Sequence, residues 1–185
     1  MSKKIVISIG HGTSIHGGYD PGALSKDGKY EEHKIAAEIG RYAAEYLGCK
    51  LINYDGSMSL TDRIDEINRI DPDFCADIHL NAGGGTGTEV FYYHNSPTGK
   101  RAATEVCRQI SSELDVHNRC AKIKLNKYGK DYFAYIRCTR PCAILIETVF
   151  IDNDSDLEKI KTPDGMQRCG YAIGRALEKS IIKYQ

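Results

Sequence analysis

The apolar residues of this chain fall into two kinds of pattern. Short apolar runs bounded by polar residues predict buried β-strands, and four segments show them: KIVISIG, KLINY, FCADIHL and CAILIETVF. Apolar residues at every third or fourth position predict amphipathic helices, and four longer segments have that spacing: EEHKIAAEIGRYAAEYLG, SLTDRIDEINRI, SPTGKRAATEVCRQISSEL and TPDGMQRCGYAIGRALEKSIIKY. Because the two kinds alternate along the chain, the sequence predicts an α/β fold with a twisted, mostly parallel sheet and helices on both faces.

Local signals mark where several helices begin and end. Gly48 ends the first helix, because glycine adopts the left-handed conformation of a helix C-terminus without strain. Ser59, with Asp62 three residues later, forms a cap-like pair that opens the second helix. Thr162 is the predicted N-cap of the last helix and Pro163 its first residue.

Three further segments carry weaker patterns. TEVFYYH alternates and predicts a strand nearer a sheet edge. KYGKDYFAYIR, within residues 115–140, predicts a loop with a short strand. NAGGGTGTEV is rich in glycine but lacks the Gly-Lys-Ser/Thr sequence of a phosphate-binding loop, so we interpret it as a flexible loop.

The composition argues against several classes of protein. A length of 185 residues predicts one domain spanning residues 1–185. Lys plus Arg and Asp plus Glu both number 25, and we identify no basic stripe with interleaved aromatic residues, so a nucleic-acid partner is not expected. No apolar run has the length needed to insert into a membrane. The run Ile5–Ile9 is too short for a signal peptide, and we expect synthesis in the cytoplasm without one.

Three polar side chains share one position relative to the predicted strands. His11 ends the first strand, His79 ends the FCADI strand and Glu147 ends the AILI strand. In an open parallel sheet, ligands bind in the crevice at the carboxyl ends of the strands. We therefore expect these three titratable groups to converge. The other histidines are expected at the surface or in loops: His16, His33, His94 and His117.

Helix geometry adds a fourth group. The helix after the first strand opens with Glu31 and Glu32 near the same sheet edge. Each residue turns through about 100°, so Glu32 lies about 20° from the buried Ile39 position and Glu31 about 80° from it. Glu32 is therefore the acid predicted on the apolar stripe, where a carboxylate without a partner is costly.

Two histidines, a carboxylate and a further glutamate match the needs of a hydrolytic zinc site. Catalytic zinc takes three protein ligands and keeps a fourth position for water, and a nearby carboxylate can accept that water's proton. The residues are far apart in sequence, and no local H-E-x-x-H motif joins them. From the residues alone, His11, Glu32 and His79 are either zinc ligands or hydrogen-bonded polar groups of the core.

Five blocks occur in an order that points to a known family: IVISIGHG, DPGALSKDGKYEEHKIAAEI, DRIDEINRIDPDFCADIHLNA, GTEVFYY and RPCAILIETVFIDN. Together they cover nearly the whole chain, and in this order they resemble the zinc-dependent N-acetylmuramoyl-L-alanine amidases of the amidase-3 type. The sequence departs from the family at Asp77, where serine is frequent. Alternation places Asp77 on the same strand face as His79 and makes it a possible hydrogen-bond acceptor behind the site.

The resemblance implies a role for each candidate residue. It implies that His11, Glu32 and His79 hold one zinc ion per chain and that Glu147 is the catalytic base. Asn81, in the IHLNA block, is a candidate substrate-binding residue. The implied partner is peptidoglycan, and the implied reaction is hydrolysis of the amide that joins N-acetylmuramic acid to L-alanine.

Two other functions stay open beside cell-wall hydrolysis. A zinc peptidase of similar fold would cut peptides without needing the sugar. A non-catalytic peptidoglycan-binding protein would bind the wall without dissolving it. We identify no separate cell-wall-binding domain within residues 1–185. Because we predict no signal peptide, the sequence resembles a phage or prophage endolysin released at lysis more than a secreted autolysin.

Overall fold

The apolar strands form a central six-stranded sheet in the computed structural model, which describes residues 3–182. The eight strands of the fold are β1 Ile5–Ile9, β2 Gly12–Thr13, β3 Tyr19–Asp20, β4 Lys50–Ile52, β5 Phe74–Asn81, β6 Thr88–Tyr92, β7 Asn118–Lys122 and β8 Cys142–Phe150. The order in the sheet is β4-β1-β5-β8-β6-β7, and β2 pairs with β3 in a separate hairpin. Strands β4, β1, β5 and β8 are parallel, whereas β6 is antiparallel to β8 and parallel to β7. The predicted mostly parallel sheet is confirmed.

Within the described residues, six helices connect and cover these strands. They are α1 Glu32–Leu47, α2 Leu60–Ile70, α3 Pro97–Leu114, α4 Ala134–Cys138, α5 Asp154–Ile160 and α6 Pro163–Leu177, and a π-helical turn, Glu178–Ile182, follows α6. The predicted last helix also includes residues 183 and 184, which lie outside the described part of the chain. None of the helices within residues 3–182 combines the length and apolar character needed to span a membrane.

The pleat of the strands divides the core into two layers. Phe74, Ala76 and Ile78 of β5 lie in one apolar cluster, which also contains buried residues of α1, α3 and α6. Cys75, between them in sequence, belongs to the other cluster, with buried residues of α2 and α4. Because successive side chains of a strand point to opposite faces, the two clusters confirm helices on both sides of the sheet.

The predicted helix ends are confirmed. Gly48 has φ 59° and its N–H bonds the last turn of α1. Ser59 and Asp62 form a reciprocal capping box at α2. Thr162 caps α6, whose first residue is Pro163.

Two details of the predicted elements are wrong: the positions of His79 and Glu147 along their strands, and the structure of residues 115–140. Strands β5 and β8 continue to Asn81 and Phe150, so His79 and Glu147 lie within strands rather than at their ends. Residues 115–140 contain β7 and the short helix α4, and FAYIR forms most of that helix instead of a strand. The rings of Phe133 and Phe91 pack 4.7 Å apart beside it. This contact between distant segments places α4 against the second core, and local periodicity does not reveal it.

Candidate active site

His11 lies two residues beyond β1, in a backbone turn that the surrounding chain holds. Its φ is 59°, a left-handed conformation that costs free energy for a residue with a side chain. Asn53 stabilises the turn, because its Nδ2 donates to the carbonyls of Ile9 and His11 at 2.8 and 2.7 Å. The β2–β3 hairpin pairs Gly12 with Asp20. As a result Asp20 Oδ2 lies 2.9 Å from His11 Nδ1.

Glu32, the first residue of α1, is buried at the junction of the helix and the sheet. Its side chain is only 4% exposed. The carboxylate accepts hydrogen bonds from the backbone N–H groups of Ala23 (2.8 Å, to Oε2) and Leu80 (3.1 Å, to Oε1). Glu31 instead occupies the N-cap position and contacts Tyr19 and Lys34. The structure thus brings Glu32, and not Glu31, to the histidines.

His79 is held between two carboxylates. Its Nδ1 lies 2.9 Å from Glu32 Oε1, and its Nε2 lies 3.0 Å from Asp77 Oδ2. The ring also packs against the backbone of Gly10, where an added Cβ would lie 2.2 Å from His79 Cε1. Glycine is therefore required at position 10 for this ring to reach its place beside β1.

The two histidines and Glu32 form a compact donor set. His11 Nε2 lies 3.1 Å from Glu32 Oε1, and one ligand atom from each of His11, Glu32 and His79 lies within 4.8 Å of the others. Each histidine gives its remaining nitrogen to an outer carboxylate, Asp20 or Asp77. A carboxylate behind a histidine is the usual arrangement at metal sites, because it fixes the tautomer and the ring orientation. Two imidazoles and one carboxylate match the ligands of catalytic zinc.

The charges in this cluster compensate one another. Burial acts to raise the pKa of Glu32, but hydrogen bonds to His11 and His79 outweigh it and hold the pKa below its ordinary value. Burial acts to lower the pKa of His79, but Asp77 and Glu32 outweigh it and raise the pKa to about 10. Protons on the histidine rings therefore balance the charge of the buried carboxylates. A bound cation would replace these protons, since metal binding releases protons from the ligands.

A buried ion pair supports His79 from behind. Arg63 of α2 lies 2.6 Å from Asp77 Oδ1, and the side chains are 4% and 1% exposed. Arg63 also contacts Ser8 of β1 at 3.3 Å. Burial acts to raise the pKa of Asp77, but the charges of Arg63 and His79 outweigh it and lower the pKa. The sequence leaves the role of Asp77 open, and the structure shows a link from α2 to His79.

Glu147 stands directly beside His79 in the register of β5 and β8. Its Oε2 atom is buried and has no hydrogen-bond partner within the described chain. Burial raises the pKa of Glu147 to about 7, the charges of Glu32 and Glu89 add to this, and the two histidines oppose it. Unlike Glu32 and Asp77, this carboxyl group is free to exchange a proton near neutral pH.

Asn81 lies two residues after His79 but is engaged with another acid. Its Nδ2 donates to Glu89 Oε1 at 2.7 Å. Glu89 faces Glu147 across β6 and β8 and also binds Arg119 and Lys122, at 2.7 and 2.5 Å. A substrate-binding role for Asn81 stays a prediction.

The remaining histidines lie apart from the donor set. His33 is not at the surface, as expected, but only 4% exposed within α1, with Nδ1 2.7 Å from the Gly10 carbonyl. It is buried because the 10–31 segment folds back over the start of α1, which helix periodicity does not show. His16 and His117 are exposed, and His94 contacts Asp131.

The glycine-rich loop between β5 and β6 is anchored rather than flexible. Asp152 Oδ2 accepts hydrogen bonds from the N–H groups of Gly83 and Gly84, both at 2.8 Å. Asp156 Oδ2 accepts from Gly87 N–H at 2.8 Å. These N–H groups are occupied by the protein's own carboxylates, which leaves them unavailable for a phosphate group.

The donor set opens into a cleft of about 310 Å³. His11, Asp20 and His79 line one part of it, while apolar residues supply most of the remaining wall: Ile15, Leu60, Phe133, Ala134, Tyr135 and Leu145. A substrate in this cleft would place a polar bond at the histidines and apolar groups against the wall. Such a combination is typical of small-molecule and substrate sites.

The α/β fold and the cluster of histidines and carboxylates at its sheet edge define a hydrolase with a candidate metal centre. The chain belongs to the N-acetylmuramoyl-L-alanine amidase family, whose model matches residues 5–179. The family resemblance seen in the sequence is confirmed.

Relatives and solved structures agree with this assignment. The chain is 30% identical to the sporulation-specific N-acetylmuramoyl-L-alanine amidase of Bacillus subtilis (strain 168), over 96% of this chain and 68% of that protein. It is 33% identical to the N-acetylmuramoyl-L-alanine amidase CwlM of Bacillus licheniformis, over 97% of this chain and 70% of that protein. Cwp6 from Clostridium difficile superimposes with a TM-score of 0.88 at 33% identity, covering 98% of this chain. This chain spans only 30% of the Cwp6 chain.

The buried pair of Arg63 and Asp77 gives a prediction about stability. Asp77→Asn leaves Arg63 buried without a counter-charge and is expected to lower the free energy of unfolding by about 3–5 kcal/mol. Asp154→Asn breaks an exposed contact with Lys26 and is expected to change it by less than about 1 kcal/mol. Urea unfolding of the metal-free proteins, followed by circular dichroism, measures both. Similar changes in the free energy of unfolding for the two substitutions would show that the buried ion pair contributes no more to stability than the exposed one.

Proposed function

We propose that this chain uses one zinc ion, held by His11, Glu32 and His79, to hydrolyse the amide between N-acetylmuramic acid and L-alanine in peptidoglycan. The observation that carries the proposal is the position of Glu147 on the strand beside His79, with its Oε2 buried and without a hydrogen-bond partner among residues 3–182. Family membership supports the choice of bond. The donor set supports the choice of metal.

The chemistry divides between the metal and the acid. Zinc bound at the donor set supplies Lewis acidity, which lowers the pKa of water towards about 7 and polarises a carbonyl group. Glu147 takes the proton from the attacking water on its carboxylate and returns it to the nitrogen of the leaving L-alanine. Burial raises its pKa to about 7 in the metal-free protein, and a neighbouring zinc ion would act in the opposite direction, which leaves a carboxylate able to accept and return a proton.

Other residues fix the geometry of the reaction. Asp20 and Asp77 bind the outer nitrogens of His11 and His79, so the inner nitrogens both point at Glu32. The backbone N–H groups of Ala23 and Leu80 hold Glu32 in turn. Ligands held in this way lose little conformational freedom when the metal and substrate bind.

We further propose a lytic role, since cutting this amide detaches the peptide cross-links from the glycan strands and weakens the wall. The turbidity of a suspension of purified sacculi is then expected to fall as the enzyme acts. Release as an endolysin stays a prediction.

The bond that is cut distinguishes the three functions that the sequence leaves open. Digested peptidoglycan is expected to contain intact stem peptides with a free L-alanine amino group and glycan strands with free lactyl carboxylates. Mass spectrometry of the soluble products measures both. Cuts only within the stem peptide would indicate a peptidase, and binding to sacculi with no soluble product would indicate a non-catalytic protein.

Substitution of the ligands tests the metal site. Metal-free wild-type protein that is dialysed against zinc is expected to bind about one ion per chain. Because three ligands are needed, far less zinc is expected to bind to each of the variants His11→Ala, Glu32→Ala and His79→Ala. Glu31→Ala is the matched control, since Glu31 neighbours Glu32 but binds Tyr19 and Lys34. Elemental analysis gives the stoichiometry. Zinc loss in Glu31→Ala together with full binding by Glu32→Ala would overturn the assignment.

The role of Glu147 differs from that of the ligands. Glu147→Gln keeps the shape of the side chain but cannot exchange a proton, so turnover is expected to fall by roughly two to four orders of magnitude with zinc content unchanged. Initial rates on sacculi and elemental analysis of the same sample measure the two quantities. Parallel loss of zinc would make Glu147 a ligand, and retained activity would place the base elsewhere.

A further inference from the structure

We propose that residues 123–132, which we call the basic hairpin, form a second binding surface for peptidoglycan that engages the carboxylates of its stem peptides. The inference rests on the proposed function, because it extends the same substrate beyond the catalytic cleft. It assigns a role to a part of the chain that the chemistry of the cleft does not use.

The charge of this region is strongly unbalanced. The chain as a whole has 25 basic and 25 acidic residues, yet residues 117–137 contain six basic residues and one acid. Arg119 and Lys122 both form ion pairs with Glu89, and the one acid, Asp131, is buried against His94. Lys124, Lys127 and Lys130 form no ion pair with any residue in 3–182, and they remain available for an anionic partner.

In this segment Tyr128 lies between Lys127 and Lys130, and Tyr132 follows Lys130. The expectation of no basic stripe with interleaved aromatic residues is therefore wrong here. The chain has no net charge overall, but this segment carries a local excess of positive charge. The segment does not suggest nucleic acid, because three free lysines are few beside the six to ten phosphate contacts of a typical DNA-binding protein.

Exposed apolar groups are concentrated in the same hairpin. Tyr128 is 75% exposed and Tyr132 53%, and Ile123 and Leu125 are also exposed. The Lys124 ammonium lies 4.1 Å from the centre of the Tyr132 ring, and that of Lys127 lies 5.0 Å from the Tyr128 ring. Each pair offers a cation beside a flat amphipathic ring. This combination suits a polymer that carries carboxylates next to sugar rings.

The hairpin is held in shape before any partner binds. Leu125 and Asp131 form an antiparallel bridge, and the Tyr132 N–H donates to the Lys124 carbonyl at 2.8 Å. At the tip, Asn126 Oδ1 accepts from the N–H groups of Tyr128 and Lys130, at 2.9 and 3.2 Å. A preformed surface loses less conformational entropy on binding.

The basic hairpin is continuous with the catalytic cleft. Phe133 lines the cleft with His11 and His79. The Phe133 ring lies 5.2 Å from the Tyr132 ring and 5.4 Å from the Lys124 ammonium. A peptidoglycan strand with its scissile amide at the histidines can therefore continue over Phe133 onto the hairpin. Its neighbouring stems carry free carboxylates that complement the lysines.

The test separates binding from cleavage. The full chain carrying Glu147→Gln is mixed with purified sacculi free of phosphate polymers, and the pelleted fraction gives the affinity. Adding Lys124→Gln, Lys127→Gln and Lys130→Gln is expected to weaken binding about tenfold, through loss of three exposed charge contacts. The matched control is Lys26→Gln, Lys29→Gln and Lys100→Gln, which removes the same charge elsewhere and is expected to leave binding within about twofold.

Two further experiments identify the chemical group that the basic hairpin binds. Amidation of the stem carboxylates is expected to remove the difference between the two triple variants. The three hairpin substitutions are then placed in the chain that keeps Glu147. This variant is expected to hydrolyse a soluble single muramoyl-peptide at the wild-type rate, but to hydrolyse sacculi more slowly than wild type when the sacculus concentration is low.

Specific outcomes overturn the proposal. Equal binding by the two triple variants would show that the hairpin is not a docking surface. A difference that appears only with sacculi bearing phosphate polymers would assign the surface to those polymers instead. If the wild-type enzyme failed to cut the muramoyl amide while hairpin-dependent binding persisted, the proposed reaction would be wrong and the proposed binding surface would be supported.

Discussion

The site depends on one buried carboxylate, that of Glu32. Burying a charge is costly unless hydrogen bonds and opposite charges compensate it. Glu32 receives four contacts, from His11, His79 and the backbone of Ala23 and Leu80. Those partners come from the loop after β1, the segment before α1 and strand β5. The need to satisfy a single acid therefore brings together the elements that form the sheet edge.

The acids in and beside the histidine cluster divide into two kinds. Asp20, Glu32 and Asp77 each bind a histidine, and their pKa values are lowered. Glu147 has a buried oxygen that no group in the described part of the chain hydrogen-bonds, and its pKa is raised. Carboxyl groups whose surroundings push their pKa values apart take different chemical roles. Here the difference separates groups that organise a cation site from one that can move a proton.

A polymeric substrate gives a reason for placing a charged surface beside the cleft. The candidate catalytic groups lie at the sheet edge, where parallel strands bring their ends together. The basic hairpin lies beyond the apolar wall of the same cleft, next to Phe133. The cleft is small compared with a glycan strand, so a peptidoglycan substrate would extend over the neighbouring surface. A net charge of zero for the whole chain is compatible with this local specialisation.

The sequence alone determined the alternation of strands and helices, the caps at Gly48, Ser59 and Thr162, and the choice of Glu32 over Glu31 for the buried stripe. These depend on local periodicity and on backbone groups a few residues apart, which the order of residues specifies directly. Only the tertiary structure decided the contact of Asp20 with His11, the pairing of Arg63 with Asp77, the burial of His33 and the formation of α4. Each of these depends on segments that folding brings together, so neither partner carries a local signal of the other.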